Sequence, residues 1–172
     1  MSSDALQGRL CRLRPYRIGD AEALCAVADD YLVARWMSRR FPNPYTRADA
    51  DLWLSIAASK PDQSLVIEVD GVLAGGVGVE PLEGEREGTA LFGYWLGRAY
   101  WGRGIGTDAA RMVSDHALAS GLRRLEASVF AQNVASARVL EKSGFALEAR
   151  LRAWYLDREG RVCDALLFAR LA

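Results

Sequence analysis

A glycine-rich segment, Trp101-Gly102-Arg103-Gly104-Ile105-Gly106-Thr107, constrains the fold of this chain more than any other feature. Glycine tolerates positive φ, so alternate glycines let successive backbone N–H groups turn toward one concave point. A helical pattern starts directly after the segment, and a helix N-terminus adds unpaired N–H groups and the positive end of the helix dipole. The segment therefore predicts a site for an anion such as a diphosphate, with the charge of Arg103 at its rim.

Secondary-structure patterns surround this segment along most of the chain. Strands are predicted over residues 9–17, 64–69, 72–79, 89–96, 125–130, 145–156 and 162–171. Helices are predicted after an N-cap at Asp20, after a capping box formed by Thr46 and Asp49, and over residues 107–120 and 134–142. Asp70-Gly71 between two apolar strands predicts a two-residue hairpin turn. No repeat or low-complexity linker interrupts the pattern, so we expect one mixed α/β domain over 1–172, with its core at about 9–171.

Composition restricts the classes of function. The 172 residues are 51% hydrophobic, and 22 basic residues balance 22 acidic ones, so no overall field attracts nucleic acid or an anionic membrane. No apolar run approaches the roughly 18 residues of a membrane span, and the N-terminus lacks the apolar core of a signal peptide. We expect a cytoplasmic protein with no nucleic-acid or membrane partner. The sequence leaves open whether it forms a homodimer.

Cysteine and histidine give little sign of metal or nucleophile chemistry. Cys11, Cys25 and Cys163 are odd in number and form no C-x-x-C pair, which argues against a disulfide framework and against a zinc cluster. The single histidine, His116, falls on a predicted helix, where a packing or surface role is favoured. We therefore expect no metal.

Two other nucleotide-binding loops compete for the glycine segment. Gly102-x-Gly104-x-x-Thr107 partly imitates a Rossmann loop, and Glu126 follows about 20 residues later, where a ribose-binding acid would stand. A Rossmann loop follows the first strand of a βαβ unit, however, whereas a hairpin-rich half precedes the segment here. A Walker loop is excluded because no glycine is followed by Lys and Ser or Thr.

A second motif lies 27 residues after Gly106. It runs Asn133-Val134-Ala135-Ser136 and continues through Val139-Leu140-Glu141-Lys142-Ser143-Gly144-Phe145, and alone it reads as an N-capped helix. Together with Gly93-Tyr94-Trp95-Leu96-Gly97 and the glycine segment, it closely resembles the GNAT (Gcn5-related N-acetyltransferase) superfamily. The branch it most resembles contains the ribosomal-protein alanine N-acetyltransferases. The resemblance covers about residues 9–171 and implies a mixed, mainly antiparallel sheet of about seven strands flanked by about four helices.

The resemblance also implies which residues bind acetyl-CoA as cosubstrate. Backbone groups of Tyr94, Trp95 and Leu96 would pair with the pantetheine arm like another strand, and the Leu96 N–H would lie near the thioester oxygen. The pyrophosphate would be held by Trp101, Gly102, Arg103, Gly104, Ile105, Gly106 and Thr107. Asn133 and Ser136 would face the pantetheine and the sulfur. Trp101 departs from the family pattern, where Gln or Arg is common, and we expect it to pack beneath the loop.

The acceptor half of the reaction is less well marked. Transfer to an amine needs a group that accepts a proton, and Glu80 and Glu126 are the candidate bases. Some relatives carry Glu ten residues after the phenylalanine that matches Phe145, but this chain has Tyr155 there, which weakens a ribosomal assignment. The family fold would bring Arg35 and Trp36 near Trp154 and Tyr155, favouring an aromatic or acidic acceptor.

Three functions follow from these patterns. The first is an acetyl-CoA-dependent N-acetyltransferase acting on a primary amine, either a small molecule or a protein N-terminus, by direct attack on the thioester. The second is a noncatalytic acyl-CoA-binding module, because no base is evident. The third is a nucleotide-binding protein of another fold.

Overall fold

A computed structural model describes residues 5–172. The strands are β1 Leu6–Gln7, β2 Arg12–Pro15, β3 Ser64–Val69, β4 Val72–Pro81, β5 Thr89–Leu96, β6 Arg124–Phe130, β7 Ala146–Leu156 and β8 Val162–Leu171. The α-helices are α1 Ala21–Ala28, α2 Tyr31–Ala34, α3 Arg47–Ser59, α4 Ile105–Ala119 and α5 Val134–Lys142. The predicted fold class is confirmed, although the described residues form eight strands and five α-helices rather than about seven and four.

Local sequence explains most element boundaries. Asp70 and Gly71 both have positive φ, 50° and 78°, which confirms the tight turn between β3 and β4. Thr46 and Asp49 form the predicted capping box at the start of α3. Asp20 is the N-cap residue of α1 as predicted, but its carboxylate caps no N–H of that helix and instead binds the guanidinium of Arg14 at 2.8 and 2.9 Å. The Asp20 carboxylate therefore belongs to a buried ion pair, whereas the sequence pattern indicated a cap for α1.

One sheet runs through the described residues in the order β1-β2-β3-β4-β5-β6-β8-β7. Neighbouring strands are antiparallel except β5 and β6, which are parallel. Helix α4 covers one face with an apolar stripe that includes Ile105, Ala109 and Val113, while α1 and α3 pack on the other. The 3.6-residue spacing of that stripe explains why α4 lies flat on the sheet.

The parallel pair β5 and β6 is joined over only part of its length. Their register covers Thr89 to Leu91 against Arg124 to Glu126. Strand β5 nevertheless stays paired with β4 as far as Leu96, and β6 stays paired with β8 as far as Phe130. The two strands therefore separate after Leu91. This leaves a gap, bounded by residues 92–96 of β5 and 127–130 of β6, inside an otherwise continuous sheet.

Candidate active site

A groove of about 1210 Å³ runs through the gap. Its walls come from the separated ends of β5 and β6, from the glycine segment before α4, from the start of α5, and from the loop between α2 and α3. The groove thus collects residues from both sequence motifs, which lie 27 residues apart along the chain.

The backbone of β5 presents alternate residues to the gap. At the two ends of the β4–β5 register, Gly97 N–H donates to Ala74 at 2.8 Å and Leu82 N–H donates to Thr89 at 2.8 Å. Since hydrogen-bonded residues alternate along an antiparallel pair, odd-numbered residues of β5 face β4 and even-numbered ones face away. The N–H and C=O groups of Phe92, Tyr94 and Leu96 consequently point into the gap.

This alternation supports two of the three backbone positions expected to hold pantetheine. Tyr94 and Leu96 offer N–H groups to the gap, as a paired strand would need. Trp95 does not, because its backbone groups face β4. Its indole packs on the other face of the sheet, 5.4 Å between ring centroids from Phe41. The backbone of Trp95 thus faces the opposite way from the backbones of Tyr94 and Leu96, because successive residues of a strand alternate. The family motif does not show this alternation directly.

The glycine segment has the geometry of an anion site. Gly102 and Gly104 have φ of 72° and 79°, a region that L side chains rarely adopt, and Gly104 is the N-cap of α4. The first intrahelical bond runs from Asp108 N–H to the Gly104 carbonyl at 3.0 Å. The N–H groups of Ile105, Gly106 and Thr107 precede that bond, so the helix itself leaves them unpaired. Three donors at the positive end of the α4 dipole can bind a phosphate.

Two charged side chains flank this anion site. The Asp108 carboxylate accepts from the Leu10 backbone N–H at 2.8 Å, which directs it toward the N-terminal segment. The Arg103 guanidinium lies 5.7 Å from the centre of the Tyr100 ring and does not line the groove, so its expected role at the rim of the anion site stays a prediction.

Trp101 does not pack beneath the loop. Its side chain is 42% exposed, and its indole N–H donates to the Leu96 carbonyl at 2.8 Å. That carbonyl faces the gap, so the indole connects the start of the glycine segment to the end of β5. A residue that departs from the family pattern thereby holds the glycine segment against the end of β5.

Asn133 and Ser136 line the groove across from β5. The Asn133 side chain accepts from the Ser136 backbone N–H at 3.2 Å, so Asn133 is the N-cap of α5 as expected. The Ser136 hydroxyl is approached by the Tyr94 hydroxyl at 3.3 Å. A side chain of β5 therefore spans from the gap to the first turn of α5, a contact that the sequence analysis did not foresee.

The two candidate bases have different surroundings. Glu126 forms ion pairs with Arg86 and with Arg124, the latter at 2.7 Å. Burial raises the pKa of Glu126, but hydrogen bonds from these arginines outweigh it, so the pKa lies below its usual range. Glu126 also does not line the groove. A paired carboxylate outside the groove is poorly suited to take a proton from an acceptor.

Glu80 lines the groove at the end of β4 and is exposed. Asp49 and Asp157 are the other groove carboxylates, and both are engaged, Asp49 in the capping box of α3 and Asp157 with Arg161 at 2.7 Å. Among the described residues, the Glu80 carboxylate makes no hydrogen bond or ion pair, and only its backbone pairs with β5. Of these three carboxylates, only that of Glu80 is unpaired among the described residues.

Aromatic rings line the end of the groove away from the glycine segment, which we call the acceptor end. Phe130 lies between Tyr155 and Trp36, with ring centroids 4.6 and 5.8 Å away. The Tyr155 hydroxyl shares a hydrogen bond of 2.6 Å with the Ser128 hydroxyl. Two of the four predicted acceptor residues, Trp36 and Tyr155, are thus brought together by a third ring that the sequence analysis missed.

The other two predicted acceptor residues do not line the groove. Trp154 is 59% exposed and lies outside the groove, in the irregular stretch of β7 between Leu151 and Tyr155. The Arg35 guanidinium stacks over Trp36 at 4.7 Å and borders a smaller cavity of about 350 Å³ behind it. Arg35 therefore contacts the acceptor end through the Trp36 ring.

The turn between β7 and β8 is hydrogen-bonded to the end of α2 and to the α2–α3 loop, beside the acceptor end of the groove. Arg158 donates to the carbonyls of Ala34 at 2.7 Å and of Ser38 at 3.1 Å, and also to the Phe41 carbonyl. Arg39 donates in return to the Asp157 carbonyl at 2.7 Å. Sequence patterns gave no sign of Arg158, since arginine in a turn usually faces solvent.

Residue types associated with other functions lie outside the groove. Cys11, Cys25 and Cys163 are free thiols, and burial, followed by the charge of Asp108, raises the pKa of Cys11 to about 12. His116 is also absent from the groove lining. Within residues 5–172, no cluster of three His, Cys, Asp or Glu side chains is placed to hold a metal ion, and no helix is long and apolar enough to cross a membrane.

Comparisons with known proteins all relate this chain to acetyltransferases. Residues 10–146 match the family model of the acetyltransferase (GNAT) domain. The chain is 30% identical over 169 residues to p20 of Bacillus licheniformis, described as an uncharacterized N-acetyltransferase, covering 92% of this chain and 91% of that protein. It is also 30% identical over 163 residues to the probable N-acetyltransferase YjcK of Bacillus subtilis (strain 168), covering 86% of each.

A solved structure extends the likeness to three dimensions. The structure of Mycobacterium smegmatis RimJ in complex with CoA-disulfide superposes with a TM-score of 0.85 at 29% identity, covering 99% of this chain and 88% of that one. The family match includes the glycine segment and the start of α5, the two parts of the chain that meet across the gap. The chain therefore belongs to the GNAT acetyltransferase family.

Proposed function

We propose that this acetyltransferase uses acetyl-CoA and transfers the acetyl group to a primary amine by direct attack on the thioester. The gap between β5 and β6 carries this proposal, because it exposes strand backbone beside an anion site at a helix N-terminus. An extended pantetheine can pair with β5 only where β6 has separated. The CoA-disulfide complex of the related RimJ supports a coenzyme of this type.

The coenzyme half of the reaction needs three groups. The N–H groups of Ile105, Gly106 and Thr107 bind the pyrophosphate, with Gly102, Arg103 and Gly104 shaping the site. The Leu96 N–H, which points into the gap, donates to the thioester oxygen and stabilises the negative charge that develops on it. Asn133, the N-cap of α5, and Ser136 in its first turn face the sulfur from the other side.

Proton removal from the acceptor falls to Glu80. An amine must lose its extra proton before it can attack, and a carboxylate within reach, directly or through water, can accept that proton. Glu80 is the groove carboxylate without a structural partner among the described residues, whereas Glu126 is held by two arginines. We therefore retain Glu80 as the candidate base and exclude Glu126.

The rings at the acceptor end indicate the kind of amine. Trp36, Phe130 and Tyr155 present apolar and aromatic surface, and Arg40 adds an exposed positive charge to the groove. Such a site favours an amine attached to an aromatic or carboxylate-bearing group, since rings stack and carboxylates pair with guanidinium.

Thiol release across an amine library tests the proposal. We expect acceptor-dependent release of CoA from acetyl-CoA, fastest with amines that carry an aromatic ring or a carboxylate. A thermal-shift panel of acetyl-CoA, CoA, NAD and ATP provides the binding control, with stabilisation expected only from the two CoA ligands. Saturable acetyl-CoA binding without release for any amine would instead indicate an acyl-CoA-binding module. Stabilisation by NAD alone would contradict the coenzyme assignment.

A further inference from the structure

Tyr94 connects three parts of the groove through one side chain. Its backbone faces the gap, and its ring lies on the α4 side of the sheet between the buried side chains of Phe92 and Leu96, each 7% exposed. A Cβ placed on Gly106 would lie 3.2 Å from Tyr94 Cε2, so the ring edge rests against the first turn of α4. The hydroxyl then reaches across to α5 and donates to Ser136 Oγ at 3.3 Å.

The hydrogen bonds at Ser136 leave one direction open. A hydroxyl accepts up to two hydrogen bonds and donates one. Ser136 Oγ accepts from Tyr94, while the Ser136 backbone N–H is bound by Asn133. Within the described residues, no protein acceptor is recorded for the Ser136 hydroxyl proton, which is therefore available to a ligand in the groove.

The protonation state of Tyr94 suits this arrangement. Burial raises the pKa of Tyr94 above its usual value, with the hydrogen bond to Ser136 acting in the opposite direction. The phenol therefore keeps its proton at neutral pH and remains a donor. The 3.3 Å separation is longer than an optimal O–H···O bond, but such contacts commonly tighten when a free enzyme binds its ligands.

We infer that Tyr94 is a positioning residue that acts through Ser136, orienting the serine hydroxyl so that its proton points at the sulfur leaving the thioester. This inference rests on the proposed function. When the amine attacks, a C–N bond forms, the C–S bond breaks, and sulfur takes the electron pair. The amine loses one proton and sulfur gains one, so an amide and a thiol form without another reactant. The Ser136 hydroxyl stabilises the thiolate during that exchange.

Kinetics of Tyr94→Phe test the inference, because phenylalanine keeps the ring packing and removes only the hydroxyl. Loss of one hydrogen bond predicts a kcat about fivefold lower. We expect KM for acetyl-CoA to change by less than about twofold, since binding does not depend on the hydroxyl. Tyr31→Phe is the matched control, as Tyr31 is 42% exposed on α2 and does not line the groove.

A double-mutant cycle separates positioning from an independent role. If Tyr94 acts through Ser136, Tyr94→Phe should have no further effect in a Ser136→Ala background. Equal fold-losses in both backgrounds would overturn the inference, and so would an unchanged kcat or a loss expressed only in KM.

Titration of the bound CoA thiol gives a readout that needs no acceptor. Ultraviolet absorption of the thiolate follows its ionisation on the enzyme. We expect the thiol to ionise at lower pH on the native protein than on Tyr94→Phe or Ser136→Ala, because an oriented donor stabilises the thiolate. Identical titrations would refute the role of Tyr94 even if acetyl transfer is confirmed. Absence of amine-dependent CoA release would refute the proposed function whatever the titration shows.

Discussion

Trp101→Phe isolates the contact that joins the glycine segment to the end of β5, the two halves of the proposed coenzyme site. The indole N–H donates to the Leu96 carbonyl at 2.8 Å, and phenylalanine removes this bond while keeping an aromatic ring. The carbonyl borders the groove, so water can replace the lost donor and no buried group remains unpaired. The cost is then the net value of one hydrogen bond, about 1 kcal/mol.

That cost should appear in coenzyme affinity. The bond anchors the residue before Gly102, so its loss allows the glycine segment to leave the conformation in which its N–H groups converge. If the full ~1 kcal/mol is expressed in binding, Kd for CoA rises about fivefold. The global melting temperature should change little, because Trp101 is already 42% exposed.

Isothermal titration calorimetry with CoA measures this difference directly. Trp154→Phe is the control, since Trp154 is also an exposed tryptophan, at 59%, but lies outside the groove. The CoA affinity of this variant should match that of the native protein. Unchanged or tighter CoA binding by Trp101→Phe would refute the reasoning. Tighter binding would show that the indole competes with pantetheine for the Leu96 carbonyl.

Three further perturbations test other parts of the structure. Gly104→Ala forces a Cβ onto a residue with φ of 79°, and should lower the free energy of unfolding by about 1–2 kcal/mol in urea titrations and weaken CoA binding. Glu80→Gln should lower kcat/KM for the amine by about 100-fold with CoA affinity unchanged, whereas Glu83→Gln, outside the groove, should have no effect. Burial raises the pKa of Asp20, but hydrogen bonds from Arg14 and from backbone N–H outweigh it and lower the pKa. The ion pair therefore stabilises the fold above the unfolded pKa of about 3.9. Asp20→Asn should cost on the order of 3 kcal/mol at pH 7, and urea midpoints should converge with those of the native protein as pH falls below about 4.

Sequence patterns predicted the local structure well where one segment decides it. The strand at 89–96 and the helix at 134–142 have the predicted bounds, and Asp70-Gly71 forms the predicted turn. The glycine segment also precedes a helix, as its pattern indicated. Each of these depends on backbone preferences and spacing within a few residues, which a single sequence contains.

Errors arose where a side chain had a choice of partners. Asp20 keeps the N-cap position of α1, but its carboxylate pairs with buried Arg14 instead of capping the helix, and Glu126 forms ion pairs rather than standing as a free base. Trp154 and Tyr155 were both expected at the acceptor end, but β7 is irregular between Leu151 and Tyr155, and only Tyr155 lines the groove. The identity of a charged or aromatic residue does not specify which of its possible partners lies nearby.

The sequence by itself determined the fold family, the glycine segment before a helix and most of the order of elements, because these follow from local conformation and from motifs that remain contiguous. Only the tertiary structure decided that β5 and β6 part after Leu91, that the Tyr94 hydroxyl meets Ser136 42 residues away, and that Phe130 joins Trp36 to Tyr155. The physical reason is that strand pairing and side-chain packing between distant segments depend on the register and twist of the whole sheet, which no short window of sequence encodes.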